Sequence, residues 1–398
     1  MSYKLREYQE KAKTTTVDYF SSQAKHRPMV VVPTAGGKSL IIAMAVKELS
    51  GKVIVLQPSV ELLKQNYMKY ENVIKEHPDL EPASLYSASV GVKEVGRVTF
   101  ATIGSIFKKP ELFSDIEHVL IDECHFVPPD KNSMYMKFLG ALPRAQVLGL
   151  TATAFRLKTY TDPFTGKKFS KINLLNRERP SFFNKFAHIT QIKELYDLGF
   201  LCPLKYIEMQ WDGSFLQVNS TGAEYTENSL KEAIERNQVI QKIPGILDQA
   251  FKKGRKACLV FVRAVEEARD LARITPFSAY VHAETDDKER ADIIKNFKNG
   301  SIKTIYNVGI LTTGFDFPEL DTVILARPTM SLALYVQMIG RGMRLAEGKE
   351  YCSILDMCGN FKKFGRVEDL RYEDDELHGW VLRNNERILS GVRLDELV

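Results

Sequence analysis

The sequence predicts an α/β chain with two parallel sheets in tandem, each flanked by helices. Three observations carry this prediction. Short, nearly continuous apolar runs recur along the chain, as strands buried on both faces of a parallel sheet require. Segments of helical period separate them. The pattern fades after residue 150 and resumes near residue 257, so the design is present twice.

In the first half, strands are expected at 29–32, 53–56, 98–101, 118–121 and 146–150. A helix is expected over 40–49. Ser59 is placed as an N-cap, followed by Val60, Leu63, Tyr67, Tyr70 and Ile74 on one helical face. In the second half, strands are expected at 257–262, 277–281, 304–308, 322–325 and 351–355. Asp286 with Glu289 has the form of a capping box, Ile293, Ile294 and Phe297 form the apolar face behind it, and Gly300 sits where a C-cap belongs. Residues 226–252 read as helical with a break at Pro244.

Residues 156–200 fit neither sheet in this reading and form a basic, aromatic insert or linker. Within 156–185 there are eight Lys/Arg against the two acids Asp162 and Glu178, with Tyr160, Phe164, Phe169, Phe182 and Phe183 interleaved. Residues 163–166 read as a turn. Two readings of the insert stay open. Lys167, Lys168 and Lys171 touch phosphates beside an aromatic wedge or stacking platform, or the segment is a solvated linker whose Phe182 and Phe183 pack on the first lobe. The expected boundaries are a first lobe over 1–155, the insert over 156–200, a second lobe over 201–360 and a mixed tail over 361–398, with an acidic cluster at 373–376.

Composition sets the class. A chain of 398 residues suggests two domains, and 44% hydrophobic with 26% charged residues is ordinary for a globular protein. The net charge of +5 permits a polyanionic partner without demanding one. Cys124, Cys202, Cys258, Cys352 and Cys358 are odd in number and lack C-x-x-C spacing. They read as reduced core thiols in a cytosolic chain with no zinc framework. The polar N-terminus is no signal peptide, and no apolar run approaches the ~20 residues of a membrane span.

The chemistry begins at Pro33-Thr34-Ala35-Gly36-Gly37-Lys38-Ser39, between an apolar strand and a helix. That is the setting of a phosphate-binding loop, in which small residues let backbone N–H groups close on a phosphate at a helix N-terminus. Lys38 would reach the β- and γ-phosphates of ATP, and Ser39 would ligate Mg²⁺. The strict motif begins with Gly where this chain has Val32. Asp122-Glu123-Cys124-His125 follows the strand at 118–121. Asp122 would hold Mg²⁺ through water, and Glu123 would polarise the attacking water. In the second half Arg341 and Arg344 stand three apart, so they share a helix face and can grip a γ-phosphate together.

In this order the three elements resemble helicase superfamily 2, and further segments strengthen the likeness. Leu5-Arg6-Glu7-Tyr8-Gln9 is similar to the family's Q motif, which implies adenine selection by Gln9 with Arg6. The segments starting at Gln57-Pro58-Ser59 and Ala101-Thr102 are similar to motifs Ia and Ib, implying backbone contacts to nucleic acid at Pro58, Ser59 and Thr102. Thr151-Ala152-Thr153 is similar to motif III, with Ala154 where Pro is usual. Residues 308–316 are similar to motif V, implying a strand contact at Thr312 and nucleotide contacts at Gly314 and Asp316; Gln337 of the arginine-bearing motif joins the nucleotide set. The resemblance implies two tandem RecA-like lobes with the ATP site in the cleft between them, ATP and Mg²⁺ as cofactors, and a monomeric nucleic-acid motor.

Within the superfamily the chain most resembles the RadD-type DECH-box DNA repair helicases and their phage-encoded relatives, without the cysteine-rich extension of that group. DNA is favoured over RNA, as a single strand or branched duplex, because Asp-Glu-Cys-His and Thr-Ala-Thr stand where RNA helicases carry Asp-Glu-Ala-Asp and Ser-Ala-Thr. No membrane is implied, and the expected compartment is the cytosol of a bacterium or phage-infected host. A double-strand translocase that does not unwind, an RNA helicase, and a nucleic-acid scaffold with an idle ATP site are the alternatives.

Overall fold

The computed structural model describes residues 3–394 and Leu397, except Gln23, Glu76, Pro78 and 312–314. The chain forms two compact units. The first joins Met1–Arg156 to Asn173–Gln191, and the second joins Leu157–Ile172 to Ile192–Val398.

In chain order the first strands are β1 (Pro28–Val31), β2 (Val53–Gln57), β3 (Ser84–Ser87), β4 (Val92–Lys93), β5 (Val98–Thr102), β6 (His118–Ile121) and β7 (Gln146–Thr151). A hairpin of β8 (Phe155–Thr161) and β9 (Lys168–Leu174) precedes β10 (Lys185–Ile189). The sheet of the first unit runs β10-β1-β7-β6-β2-β5-β3-β4 and is parallel except where β3 meets β4. β1, β2, β5 and β6 are buried at every position, which explains their unbroken apolar runs. The helices are α1 (Glu7–Ser21), α2 (Lys38–Glu48), α3 (Val60–Ile74), α4 (Ile103–Ile106) and α5 (Met134–Gly140). Ser59 caps α3 as expected, its hydroxyl accepting the Leu62 N–H at 3.3 Å.

β10 corrects the expectation that 156–200 fits neither sheet. It lies parallel to β1 at the sheet edge, with Pro28 opposite Lys185 and Val31 opposite Ile189. An edge strand buries only part of its surface, so Lys185–Ile189 lacks the apolar run that marks its neighbours. Phe182 and Phe183 are buried just before it, in line with the packed reading of those two rings. The guanidinium of Arg27 lies 4.4 Å from the Phe182 ring centre.

The second unit carries α6 (Ile192–Asp197), β11 (Leu204–Glu208), α7 (Glu227–Arg236), α8 (Val239–Lys252), β12 (Cys258–Phe261), α9 (Val265–Ile274), β13 (Ser278–Val281), α10 (Asp287–Lys298), β14 (Thr304–Asn307), β15 (Thr322–Leu325), α11 (Leu332–Gly340), β16 (Cys352–Asp356) and α12 (Asn360–Phe364). Its six-stranded sheet is parallel throughout, in the order β11-β16-β15-β12-β14-β13. Asp286 caps α10 by accepting from Lys288 and Glu289, and Gly300 follows it in a left-handed conformation. All five cysteines are free and buried.

The expected break at Pro244 is absent. α8 runs through it, and the interruption falls earlier, where Gln238 is left-handed and the Asn237 side chain bonds the backbone of Asp212. Val239, Ile243 and Leu247 of α8 are buried in the core of this unit. That packing offsets the ~3 kcal/mol a helical proline costs. In the tail β17 (Leu370–Asp375), β18 (Gly379–Asn384) and β19 (Arg387–Ile388) form an antiparallel sheet. The body of the β8–β9 hairpin belongs to this unit, where Lys171 and Ile172 bridge to Arg393 and Ser390.

Candidate nucleotide-binding site

Strand order builds the site of the first unit. β1, β7 and β6 are neighbours, so the residues leaving their C-terminal ends come together there, as ligand sites of parallel sheets do. The loop 33–37 leaves β1, Asp122 and Glu123 leave β6, and Thr151 ends β7. α2 opens at Gly37 with no side-chain cap, so its N-terminus is available to an anion. Ala35 (φ 67°) and Gly37 (φ 83°) are both left-handed. The backbone at Gly37 favours glycine, and a Cβ there would lie 2.5 Å from the Gln9 amide nitrogen and displace that side chain.

Of the side chains expected to act on ATP and Mg²⁺ within this unit, Lys38, Asp122 and Glu123 come together, and Ser39 stands in the first turn of α2. Lys38 Nζ donates to Glu123 Oε1 at 2.5 Å. Thr151 Oγ1 donates to Glu123 Oε2 at 3.3 Å and lies 2.8 Å from His125 Nδ1. Thr153 Oγ1 is 3.3 Å from the same ring nitrogen. The acidic motif is thereby hydrogen-bonded to the Thr-Ala-Thr motif. Glu123 is held in a left-handed conformation at φ 48°. Asp122 accepts the Glu123 N–H at 2.9 Å and the Asn66 amide at 2.8 Å. Burial and the adjacent Glu123 charge push the Asp122 carboxyl up to about 6. Burial works against ionisation of Glu123 too, but the Lys38 ammonium and His125 hold its carboxyl well below the ordinary range.

Asn66 was not among the residues singled out from sequence. It lies on the buried face of α3, seven residues past the Ser59 cap, and a polar residue on a buried helical face is the signal that could have found it. Gln9 also has a place that sequence does not show. Its Oε1 accepts the Arg6 N–H at 3.0 Å, capping α1, and its Nε2 donates to the Gly36 carbonyl at 3.1 Å. The Tyr8 hydroxyl donates to that carbonyl at 2.9 Å. Thr102 is buried with its hydroxyl 2.8 Å from Ser105 Oγ, and Pro58 and Ser59 sit between β2 and α3.

α11 ends at Gly340, so Arg341 and Arg344 do not share a helix face as expected, yet in the second unit they converge. Both donate to the Phe315 carbonyl, at 2.8 and 2.9 Å, and Arg344 pairs with Asp316 at 3.0 Å. Arg341 and Gln337 are buried. Thr312 and Gly314 lie outside the described residues. The Asn307 side chain accepts from Leu311 N–H at 2.9 Å and so holds the start of this segment. Lys167 and Lys168 are exposed beside the hairpin turn, where Phe164 is 96% exposed. Lys171 lies 5.7 Å from the Phe169 ring centre.

Residues 2–156 match the family described as the res subunit of type III restriction enzymes, and residues 237–346 match the helicase conserved C-terminal domain. IRC3 of Saccharomyces cerevisiae, whose name assigns it provisionally to the ATP-dependent helicases, is 27% identical over 89% of this chain. The chain spans only 51% of that relative's length. A protein of Sulfurisphaera tokodaii named DNA 3'-5' translocase XPB2 is 21% identical over 85% of this chain and 78% of its own. Among solved structures, the ATP-dependent Type ISP restriction-modification enzyme LlaBIII bound to DNA aligns with a TM-score of 0.63 at 17% identity, over 90% of this chain and 28% of its own. Dbp5 of S. cerevisiae bound to RNA and ADP BeF3 aligns with a TM-score of 0.57 at 17% identity, over 89% and 83%. These structural likenesses are likenesses of fold. With residues 2–156 and 237–346 matching these two domains in order, the chain belongs to helicase superfamily 2 and carries the two domains of an ATP-dependent helicase enzyme.

Proposed function

We propose that the chain is a nucleic-acid-stimulated ATPase of the RadD-like DECH-box type that translocates on DNA and unwinds or remodels it in repair, recombination or replication. The observation that carries this is the hydrogen-bonded set Lys38, Glu123, His125 and Thr151, which ties the water-activating carboxylate to the motif that follows β7. Asp122 and the Ser39 hydroxyl are hard oxygen donors and suit Mg²⁺, and a buried carboxyl raised to about 6 is one that gains from a cation beside it. When bound, that ion would neutralise charge on the β- and γ-phosphates.

The chain's own residues do the rest. Lys38 exchanges Glu123 for phosphate oxygens, and the open N-terminus of α2 receives the anion. Glu123, freed from Lys38, takes a proton from the attacking water. Arg341 and Arg344 of the second unit stabilise charge on the transferring phosphoryl group, an effect worth ~10³–10⁵ in rate in related chemistry. Lys167, Lys168 and Lys171 contact the strand's phosphates.

Steady-state ATP hydrolysis tests the reading, measured alone and with single-stranded DNA, double-stranded DNA and RNA, against Glu123→Gln as the blank. Strong stimulation by DNA and little by RNA is expected, and Arg341→Ala should remove most of it. Hydrolysis indifferent to every nucleic acid would sink the proposal. A second reading is a double-strand translocase that does not separate strands. It is favoured by the match of residues 2–156 to restriction-enzyme subunits and by a relative named as a translocase. Strand displacement measured beside triplex displacement separates the two.

A further inference from the structure

The second unit holds a cavity of about 860 Å³, and of the residues given a role above only Lys168 lines it. Its position follows from strand order. β11, β16 and β15 are neighbours, so the loops leaving their C-terminal ends adjoin as well, and these loops line the cavity at 209–214, 358–360 and 328–330. Ligands of open parallel sheets bind at that edge.

The walls are fixed by buried hydrogen bonds. Asp356 accepts from Cys358 N–H at 3.1 Å, Phe361 N–H at 2.6 Å and the Asn360 amide at 3.1 Å. Asn360 in turn accepts from Thr329 N–H and donates to the Arg327 carbonyl, both at 3.0 Å. Trp211 forms one wall. It packs on the core, and its indole lies against Gly359, where an added Cβ would stand 2.8 Å from Trp211 Cδ1. Met330 and Tyr225 extend the apolar lining. Lys168, Lys362 and Lys363 supply positive charge, and Lys363 donates to the Tyr225 hydroxyl at 2.5 Å. Of the two carboxylates in the lining, Asp212 already accepts the Ser214 N–H at 2.9 Å and Glu208 is exposed.

A cavity lined by an indole and three lysines can stack a heteroaromatic base and hold its phosphate. The volume falls within the roughly 300–1,000 Å³ of small-molecule sites. We propose that this cavity binds a nucleoside phosphate unit, with the base against Trp211 and the phosphate toward Lys168, Lys362 and Lys363. Free nucleotide and an unpaired nucleotide within a strand share that chemistry. The strand is the source we favour, and that choice rests on the nucleic-acid motor reading.

The chain has two tryptophans, so Trp380→Phe leaves Trp211 as sole reporter. The full-length Trp380→Phe protein, without ATP, is titrated with oligothymidylate and separately with thymidine monophosphate. Saturable quenching of Trp211 is expected with oligothymidylate, weakened several-fold by Lys168→Gln. Trp211→Ala should bind the oligonucleotide about five- to a hundred-fold more weakly, with Trp211→Phe restoring most of the loss. Equal affinity for the mononucleotide would support the site and assign it to free nucleotide. Emission unchanged by both probes, with hydrolysis still stimulated by DNA, overturns the cavity and leaves the motor reading standing. Quenching by the mononucleotide alone, with no strand binding or stimulation, keeps the cavity and removes the motor.

Discussion

Glu123 has three side-chain partners, Lys38, Thr151 and His125, the last with Nδ1 3.3 Å from Oε2. Its Oε1 accepts from Lys38 and its Oε2 from Thr151. On the proposed mechanism this carboxylate competes with a phosphate oxygen for Lys38. Glu123→Gln removes both the base and this competitor. It should lower turnover by ~10²–10⁴ while ATP binding persists or tightens, as read by hydrolysis and by equilibrium nucleotide binding. Asn66 acts one step back from the chemistry by donating to Asp122 Oδ2 at 2.8 Å. Asn66→Ala should raise the Mg²⁺ concentration for half-maximal hydrolysis by about 10–100-fold, the usual effect of losing a group that orients a metal-binding carboxylate. An unchanged Mg²⁺ dependence would remove Asn66 from the site.

Elements differed in how far sequence revealed them, and the difference is one of burial. β1, β2, β5 and β6 are buried on both faces and announce themselves as apolar runs. β10 and β11 are edge strands, half solvated, and their mixed sequences merge with the loops beside them. Lys38, Asp122, Glu123 and the arginine pair were legible because each stands at a strand end or helix end with a recognisable local pattern. Asn66, Asn307 and Trp211 were not, since their roles arise from neighbours far off in sequence. The antiparallel sheet of the tail was hidden for a further reason. Its acidic residues read only as a cluster in a mixed tail, yet Asp375 is tied to His378 at 2.8 Å and to Arg383 at 2.6 Å.

The His378 hydrogen bonds, side chain first and then backbone, and Arg383 hold the Asp375 carboxyl down to about 2, against an ordinary 3.8. Since the folded value is the lower one, the stabilisation is fully present above the unfolded value. It is lost as pH falls from there through about 2. Asp375→Asn should therefore lower the melting temperature modestly at pH 6, and the difference from the parent should vanish near pH 2. A gap independent of pH would assign the effect to packing.

At the scale of the molecule, the small net charge of +5 hides a local excess, since residues 156–185 carry eight basic residues against two acids. If those cations track a strand, affinity for single-stranded DNA should fall with salt, with a log–log slope of about −0.7 for each phosphate contacted. Lys167→Gln with Lys168→Gln should flatten that slope, which a salt titration by fluorescence anisotropy would read.

The chain also leaves the first unit after Arg156 and re-enters it at Asn173, so β10 closes a sheet that the hairpin has interrupted. A single cut in the exposed turn at 163–166 would give two pieces, neither holding the whole first sheet. The ladder from Pro28–Lys185 to Val31–Ile189 would then be a bond between fragments. The fold thus contains its own site for complementation: residues 1–164 and 165–398, expressed together, should co-purify and hydrolyse ATP, and each expressed alone should not.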